Sequence, residues 1–107
     1  MKIDGNRICM VKGDTGYLNI NLHYDNGNNY AIREGDKITF SVKRSIYDSD
    51  YALQKNVNAG EVIAINPEDT QNLTSGDYVY DVQLNTTLGE VFTVAYGELQ
   101  IIEGVTQ

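Results

Sequence analysis

Asn66-Pro67-Glu68-Asp69-Thr70-Gln71-Asn72-Leu73, followed directly by Thr74-Ser75-Gly76-Asp77-Tyr78-Val79-Tyr80-Asp81-Val82-Gln83-Leu84, is the stretch that decides the fold. Its first part has an asparagine N-cap, proline at the first helical position and acids at the positive end of the helix dipole, which predicts one or two helical turns. The second part sets Tyr78, Tyr80, Val82 and Leu84 against Val79, Asp81 and Gln83, the period of two that belongs to a strand. A helical turn that runs into a strand opening on tyrosine is a corner motif, in which the phenol turns back onto the preceding backbone. Tyr78 is the candidate corner residue.

Outward from this corner, the chain reads as further strands. Residues 17 to 24 alternate, with Leu18, Ile20, Leu22 and Tyr24 inward. Residues 37 to 43 repeat the pattern with Ile38, Phe40 and Val42. Segments 51 to 57 and 61 to 65, joined through Asn58-Ala59-Gly60, read as a hairpin. Residues 91 to 102 form a last strand with a bulge expected at Gly97, and residues 7 to 11 an opening one. Gly13-Asp14, Gly35-Asp36 and Gly76-Asp77 each precede a strand as repeated turn chemistry. About seven short strands with one short helical turn fit an all-β fold, an immunoglobulin-like antiparallel β-sandwich forming a single domain over residues 1–107. Tyr80 stands where an antibody domain has its second cysteine, and no tryptophan is present, so a true antibody-type domain is excluded.

Composition removes many functions. The 107 residues carry eight Lys and Arg against fifteen Asp and Glu, a net charge of −7, which opposes nucleic acid and anionic membrane surfaces as partners. A single cysteine forms no internal disulfide, and Cys9 with His23 makes no metal cluster, so no cofactor is expected. No window is apolar enough to span a membrane, and Met1-Lys2-Ile3-Asp4 is polar where a signal peptide is apolar, so a soluble protein made in the cytoplasm is expected. All eight bases fall in residues 1 to 55 with seven acids, a balance of +1, while residues 56 to 107 hold eight acids and no base. The preferred reading of this asymmetry is one solvated acidic surface; the other is two faces that orient partners.

The candidate sites are few. Asp25-Asn26-Gly27-Asn28-Asn29 departs from a calcium loop at the ligand and glycine positions and reads as a hairpin turn. Asp48-Ser49-Asp50 and Glu68-Asp69 are adjacent carboxylates without the separated environments that acid–base catalysis needs. His23 reads as a surface histidine and Cys9 as a small core side chain. Among eight tyrosines, Tyr24, Tyr78 and Tyr80 are assigned to core and corner packing, while Tyr47 and Tyr51 flank the acidic loop of Asp48 and Asp50. These four loop residues are the expected interaction surface, and no enzyme is expected.

Gly13-Asp14-Thr15 leading into Leu18-Asn19-Ile20, and then the run Arg33-Glu34-Gly35-Asp36-Lys37-Ile38-Thr39-Phe40-Ser41-Val42-Lys43, resemble small phage and prophage structural proteins of Gram-positive bacteria. Pro67-Glu68-Asp69-Thr70, Leu73 and Gly76 to Leu84 are similar to a stretch shared by those proteins and the N-terminal immunoglobulin-like domain of phage baseplate upper proteins. The resemblance covers about residues 8 to 102 and rests on framework motifs, so it implies a fold and a setting but no catalytic residue. It implies a non-enzymatic virion component of the tail, baseplate or particle surface. Its expected partners are other phage structural proteins and further copies of itself, a homo-oligomer within the assembly. The alternative is a carbohydrate-binding surface module using Tyr47 or Tyr51.

Overall fold

In the computed structural model, which describes residues 1–105 and only the backbone of Asp4, eight strands and one short helix follow along the chain. They are β1 (Lys2–Asp4), β2 (Arg7–Val11), β3 (Gly16–Leu18), β4 (Lys37–Lys43), β5 (Leu53–Asn58), β6 (Ile63–Ile65), α1 (Pro67–Thr70), β7 (Gly76–Asn85) and β8 (Val91–Ile102). A mixed six-stranded sheet runs in the order β1-β2-β8-β7-β4-β5, and β3 and β6 form a small second sheet. Alternation in β4 and β7 buries Ile38, Phe40, Val42, Val82 and Leu84 in one cluster with Leu18, Ile63 and Ile65 of the small sheet. The protein is therefore mostly β, as the sequence predicts.

The corner forms as expected. The Tyr78 hydroxyl donates to the Thr74 carbonyl at 2.6 Å, and the Arg44 guanidinium lies 4.8 Å from the ring centroid. Asn66 precedes α1, and its amide donates to Asp69 Oδ2 at 2.7 Å. The same carboxylate oxygen pairs with Lys55 Nζ of β5 at 2.7 Å, and buried Thr70 accepts the Gly13 amide at 2.9 Å. The helical turn is thus tied to β5 and to the β2–β3 loop.

Several expectations are corrected by the pairing. The large sheet is not purely antiparallel, because β2 runs parallel to β8, matching Ile8 with Leu99 and Met10 with Ile101 on the inner face. Parallel neighbours need a long crossover, and here nearly the whole chain lies between the two strands. Segments 51 to 57 and 61 to 65 do not form a hairpin: β5 pairs with β4 and β6 with β3, so the chain changes sheets after Asn58. The physical reason is that Leu53 and Val57 extend the inward set opposite Val42 and Ile38, whereas Ile63 and Ile65 are both fully buried in the other layer. In the 17-to-24 segment, pairing with β6 ends at Leu18 because β6 supplies only three partners, and it resumes locally at His23, which bridges Asn29 across the expected turn at residues 25 to 29. Leu22 stays buried, but Tyr24 is 47% exposed rather than in the core. Cys9 points to the outer face between buried Ile8 and Met10, and is not a core side chain. The three-residue β1 is an addition.

The bulge also moves. Val82 pairs with Ala95 and Gln83 with Thr93, which leaves Val94 as the extra residue on β8. Gly97 instead sits in regular register opposite Tyr80, and a Cβ there would lie 2.2 Å from the Asn6 carbonyl oxygen. Into this gap the Tyr80 hydroxyl donates to that same oxygen at 2.8 Å. Glycine is required by close approach of the β1–β2 turn, not by a kink.

Asp36 is 2% exposed, and its carboxylate accepts three hydrogen bonds: from the Arg33 amide at 2.9 Å, the Tyr30 hydroxyl at 2.8 Å and the Thr87 amide at 3.0 Å. The Arg33 amide is the largest influence holding this carboxyl below its ordinary pKa; burial opposes it, and Tyr30 and Thr87 add to it. Gly35, at φ 93°, lies so close to Thr87 that a Cβ would meet its methyl at 2.8 Å.

Two tests follow from this packing. Gly97→Ala is expected to lose more than about 2 kcal/mol of stability in chemical denaturation, because backbone rather than a movable side chain occupies the space. A loss within error would contradict the close approach. A carboxyl whose folded pKa is depressed stabilises fully above the unfolded value of about 3.9, and this contribution disappears as pH falls through the folded value. Asp36→Asn is therefore expected to lower Tm at pH 7 and to flatten the loss of Tm below about pH 4, measured by thermal melts across pH.

Candidate functional site

The four residues expected to form an interaction surface all lie in the β4–β5 connection and all are exposed. Tyr47 is 90% exposed on a turn closed by the Asp48 amide donating to the Ser45 carbonyl at 3.0 Å. Tyr51 is 52% exposed, with Lys43 Nζ 4.9 Å from its ring centroid, so one ring face already holds a cation. Of the four, only Tyr51 borders a groove.

That groove, of about 360 Å³, lies on the outer face of the large sheet. The registers place outward side chains in rows that cross the strands. Gln54, Ser41, Asp81 and Tyr96 form one row, from β5 through β4 and β7 to β8. Asn56, Thr39, Gln83 and Thr93 form the next. The lining mixes hydroxyl and amide groups with the apolar side chains of Val79 and Ile46: Gln54 Nε2 donates to Ser41 Oγ at 3.0 Å and Thr39 Oγ1 to Asn56 Oδ1 at 2.8 Å. Tyr96 is 70% exposed at one side and Tyr51 stands at the other. Asp81, between them, has no hydrogen bond or ion pair with a described side chain. Burial pushes its carboxyl above the ordinary range, and Lys43 partly offsets this.

The charge asymmetry of the sequence does not survive folding as two faces. Acid-bearing β7 and β8 lie between β2, with Arg7, and β4, with Lys37 and Lys43, so the two halves of the chain interleave across one sheet. Lys12 bridges Glu103 at 2.8 Å along the β2–β8 seam. Lys12 and then the Ser75 hydroxyl, which donates at 2.5 Å, hold the Glu103 carboxyl below its ordinary range.

A second feature lies at the β7–β8 hairpin. Leu88, Val91, Phe92 and Val94 are all exposed there, and Phe92 and Val94 lie beside Tyr24, which meets Tyr30 edge-on with centroids 5.5 Å apart. Phe92 pairs with Leu84 and faces inward, yet is 47% exposed, because the small sheet is too short to cover it. Phe92, Val94, Leu22, Tyr24, Tyr30 and His23 line a cavity of about 400 Å³. Such a contiguous apolar group marks a contact surface more often than scattered exposure does.

Sequence reading missed both features. The available sign was Val91-Phe92-Thr93-Val94-Ala95, where alternation fails and both faces of the strand are apolar or nearly so. Among the described residues, no three His, Cys, Asp or Glu side chains converge to hold a metal ion, and no helix is long and apolar enough to cross a membrane. No protein-family model matches the chain, and no curated protein matches it either.

An acid whose folded pKa is raised lowers stability in the charged form. Asp81→Asn is accordingly expected to raise stability at pH 7 by about 0.5 kcal/mol or less once solvent screening is allowed for, and to leave it unchanged at pH 3. Urea denaturation at the two pH values checks this; a loss at pH 7 would show that Asp81 has a stabilising partner.

Proposed function

We propose that this chain is an immunoglobulin-like, non-enzymatic structural module of a phage or prophage particle, working through contacts with neighbouring particle proteins and copies of itself. The topology supports the fold assignment. β7 lies between β4 and β8, β5 extends that sheet, and β3 and β6 lie opposite, the arrangement in which strands B and E face C′, C, F and G. The Tyr78–Thr74 hydrogen bond at the start of β7 is the corner expected at the start of strand F. The framework motifs at residues 13 to 20, 33 to 43 and 67 to 84 support the particle setting by resemblance.

The observation that carries the functional reading is the apolar hairpin end, where Phe92 and Val94 are held exposed by strand pairing and a bulge. An aromatic anchor on a rigid element, ringed by smaller apolar groups, is the pattern of a protein-contact hot spot. Virion modules used in symmetric copies need such surfaces. The other expectation, a carbohydrate-binding surface module, is favoured by a separate feature, the polar groove, and the two are compatible in one particle-surface protein.

Mass spectrometry of purified particles, after induction of the source bacterium, is expected to find this chain at stoichiometric abundance. Phe92→Asp combined with Val94→Asp should keep the far-UV spectrum and reduce incorporation at least about tenfold, the effect of losing one good anchor. Absence of the wild-type chain from particles, with expression confirmed in the lysate, would overturn the reading.

A further inference from the structure

We propose that the groove on the outer face of the large sheet binds a neutral saccharide, with Tyr96 stacking on the apolar face of a sugar ring and Asp81, Gln83 and Gln54 hydrogen-bonding its hydroxyls. The inference rests on the carbohydrate reading and is independent of the particle role.

The proposed contact residues Gln54, Asp81, Gln83 and Tyr96 all sit on paired strands, so the sheet ladder holds them, while the β4–β5 loop adds Ile46 and Tyr51 at the side. Its volume of about 360 Å³ lies within the range of roughly 300–1,000 Å³ usual for small-ligand sites. Its free hydrogen-bonding capacity is specific. Gln54 spends one N–H on Ser41 and keeps its carbonyl oxygen as an acceptor, while the Ser41 hydroxyl keeps its proton to donate. Asp81 and Gln83 are committed to no described side chain, and a carboxylate can accept from two hydroxyls at once. Vicinal hydroxyls of a sugar match this mixture of acceptors and donors, and the tyrosine ring matches the C–H face between them.

Other ligand classes fit less well. An apolar molecule would strip water from the amide and hydroxyl floor without replacing its hydrogen bonds. A phosphate or other anion would meet Asp81 in the centre of the floor. A cation would compete with Lys43, which already lies beside Asp81 and over the Tyr51 ring. What remains is a neutral ligand dense in hydroxyls.

The test is a glycan array probed with the wild-type chain, followed by NMR titration of the best neutral oligosaccharide. Tyr96→Ala and Asp81→Asn are each expected to weaken binding at least about tenfold, the effect of one stacking or charge-assisted contact. Tyr17→Ala, on the exposed side of β3 in the small sheet, should bind as wild type. Unchanged amide spectra away from the groove report that each variant is folded, and a conservative Tyr96→Phe variant should keep most of the affinity. No bound neutral glycan, binding of anionic glycans alone, or equal affinity in Tyr96→Ala and Asp81→Asn would each overturn the proposal. Particle incorporation of Tyr96→Ala is expected to equal that of wild type, which separates failure here from failure of the particle reading.

Discussion

A buried carboxylate cannot stay charged without donors, and Asp36 is supplied with them by segments that have no other reason to meet. Arg33 and Tyr30 come from the loop before β4, Thr87 from the β7–β8 turn, and the Asp36 carbonyl receives the Ala59 amide from beyond β5. Two stretches of chain therefore depend on one side chain at the start of β4, and a third on the carbonyl of the same residue. Tyr30, oriented by this bond, gives Tyr24 its edge-on partner, and Thr87 anchors the hairpin whose strands carry Phe92 and Val94.

The same logic of remote pairing sets the electrostatics. The chain is nearly neutral in its first half and strongly acidic in its second. Sheet order inserts the acidic strands β7 and β8 between β2 and β4, so Glu98 lies across from Arg7, and Asp81 falls within reach of Lys43. Net charge sets solubility and repulsion from phosphate, whereas the local face offered to a ligand is mixed and largely neutral. The amide and hydroxyl groups of β4 and β5 occupy the rows where a solvated sheet commonly carries lysine and glutamate.

What was legible in the sequence is what a local window encodes. Alternation identified β4 and β7, the proline and acids identified α1, and the tyrosine corner was readable from a handful of adjacent residues. Partner choice was not. Nothing near Ile8 reports that it will lie beside Leu99, and nothing at Asn58 tells a tight hairpin from a change of sheet. Gly97 looked like a bulge because glycine in a strand has two physical meanings, a kink or a close approach, and only the position of Asn6 distinguishes them. The groove was hidden for a similar reason: Gln54, Asp81 and Tyr96 are ordinary outward positions on three strands until register puts them in one row. Of the four expected surface residues, Tyr51 borders the groove with its ring beside Lys43, whereas Tyr47 stands almost fully exposed.

The parallel pairing of β2 and β8 also has a mechanical meaning. Tension applied between the start of β2 and the end of β8 runs along both strands, so the evenly spaced hydrogen bonds from Arg7–Glu98 to Val11–Ile102 share the load in shear. An antiparallel pair pulled from one end would open one bond at a time, like a zipper. Under such tension the domain yields only when the whole seam slips, and the Lys12–Glu103 bridge, with Ser75 behind it, sits at the end of that seam as its last fastening.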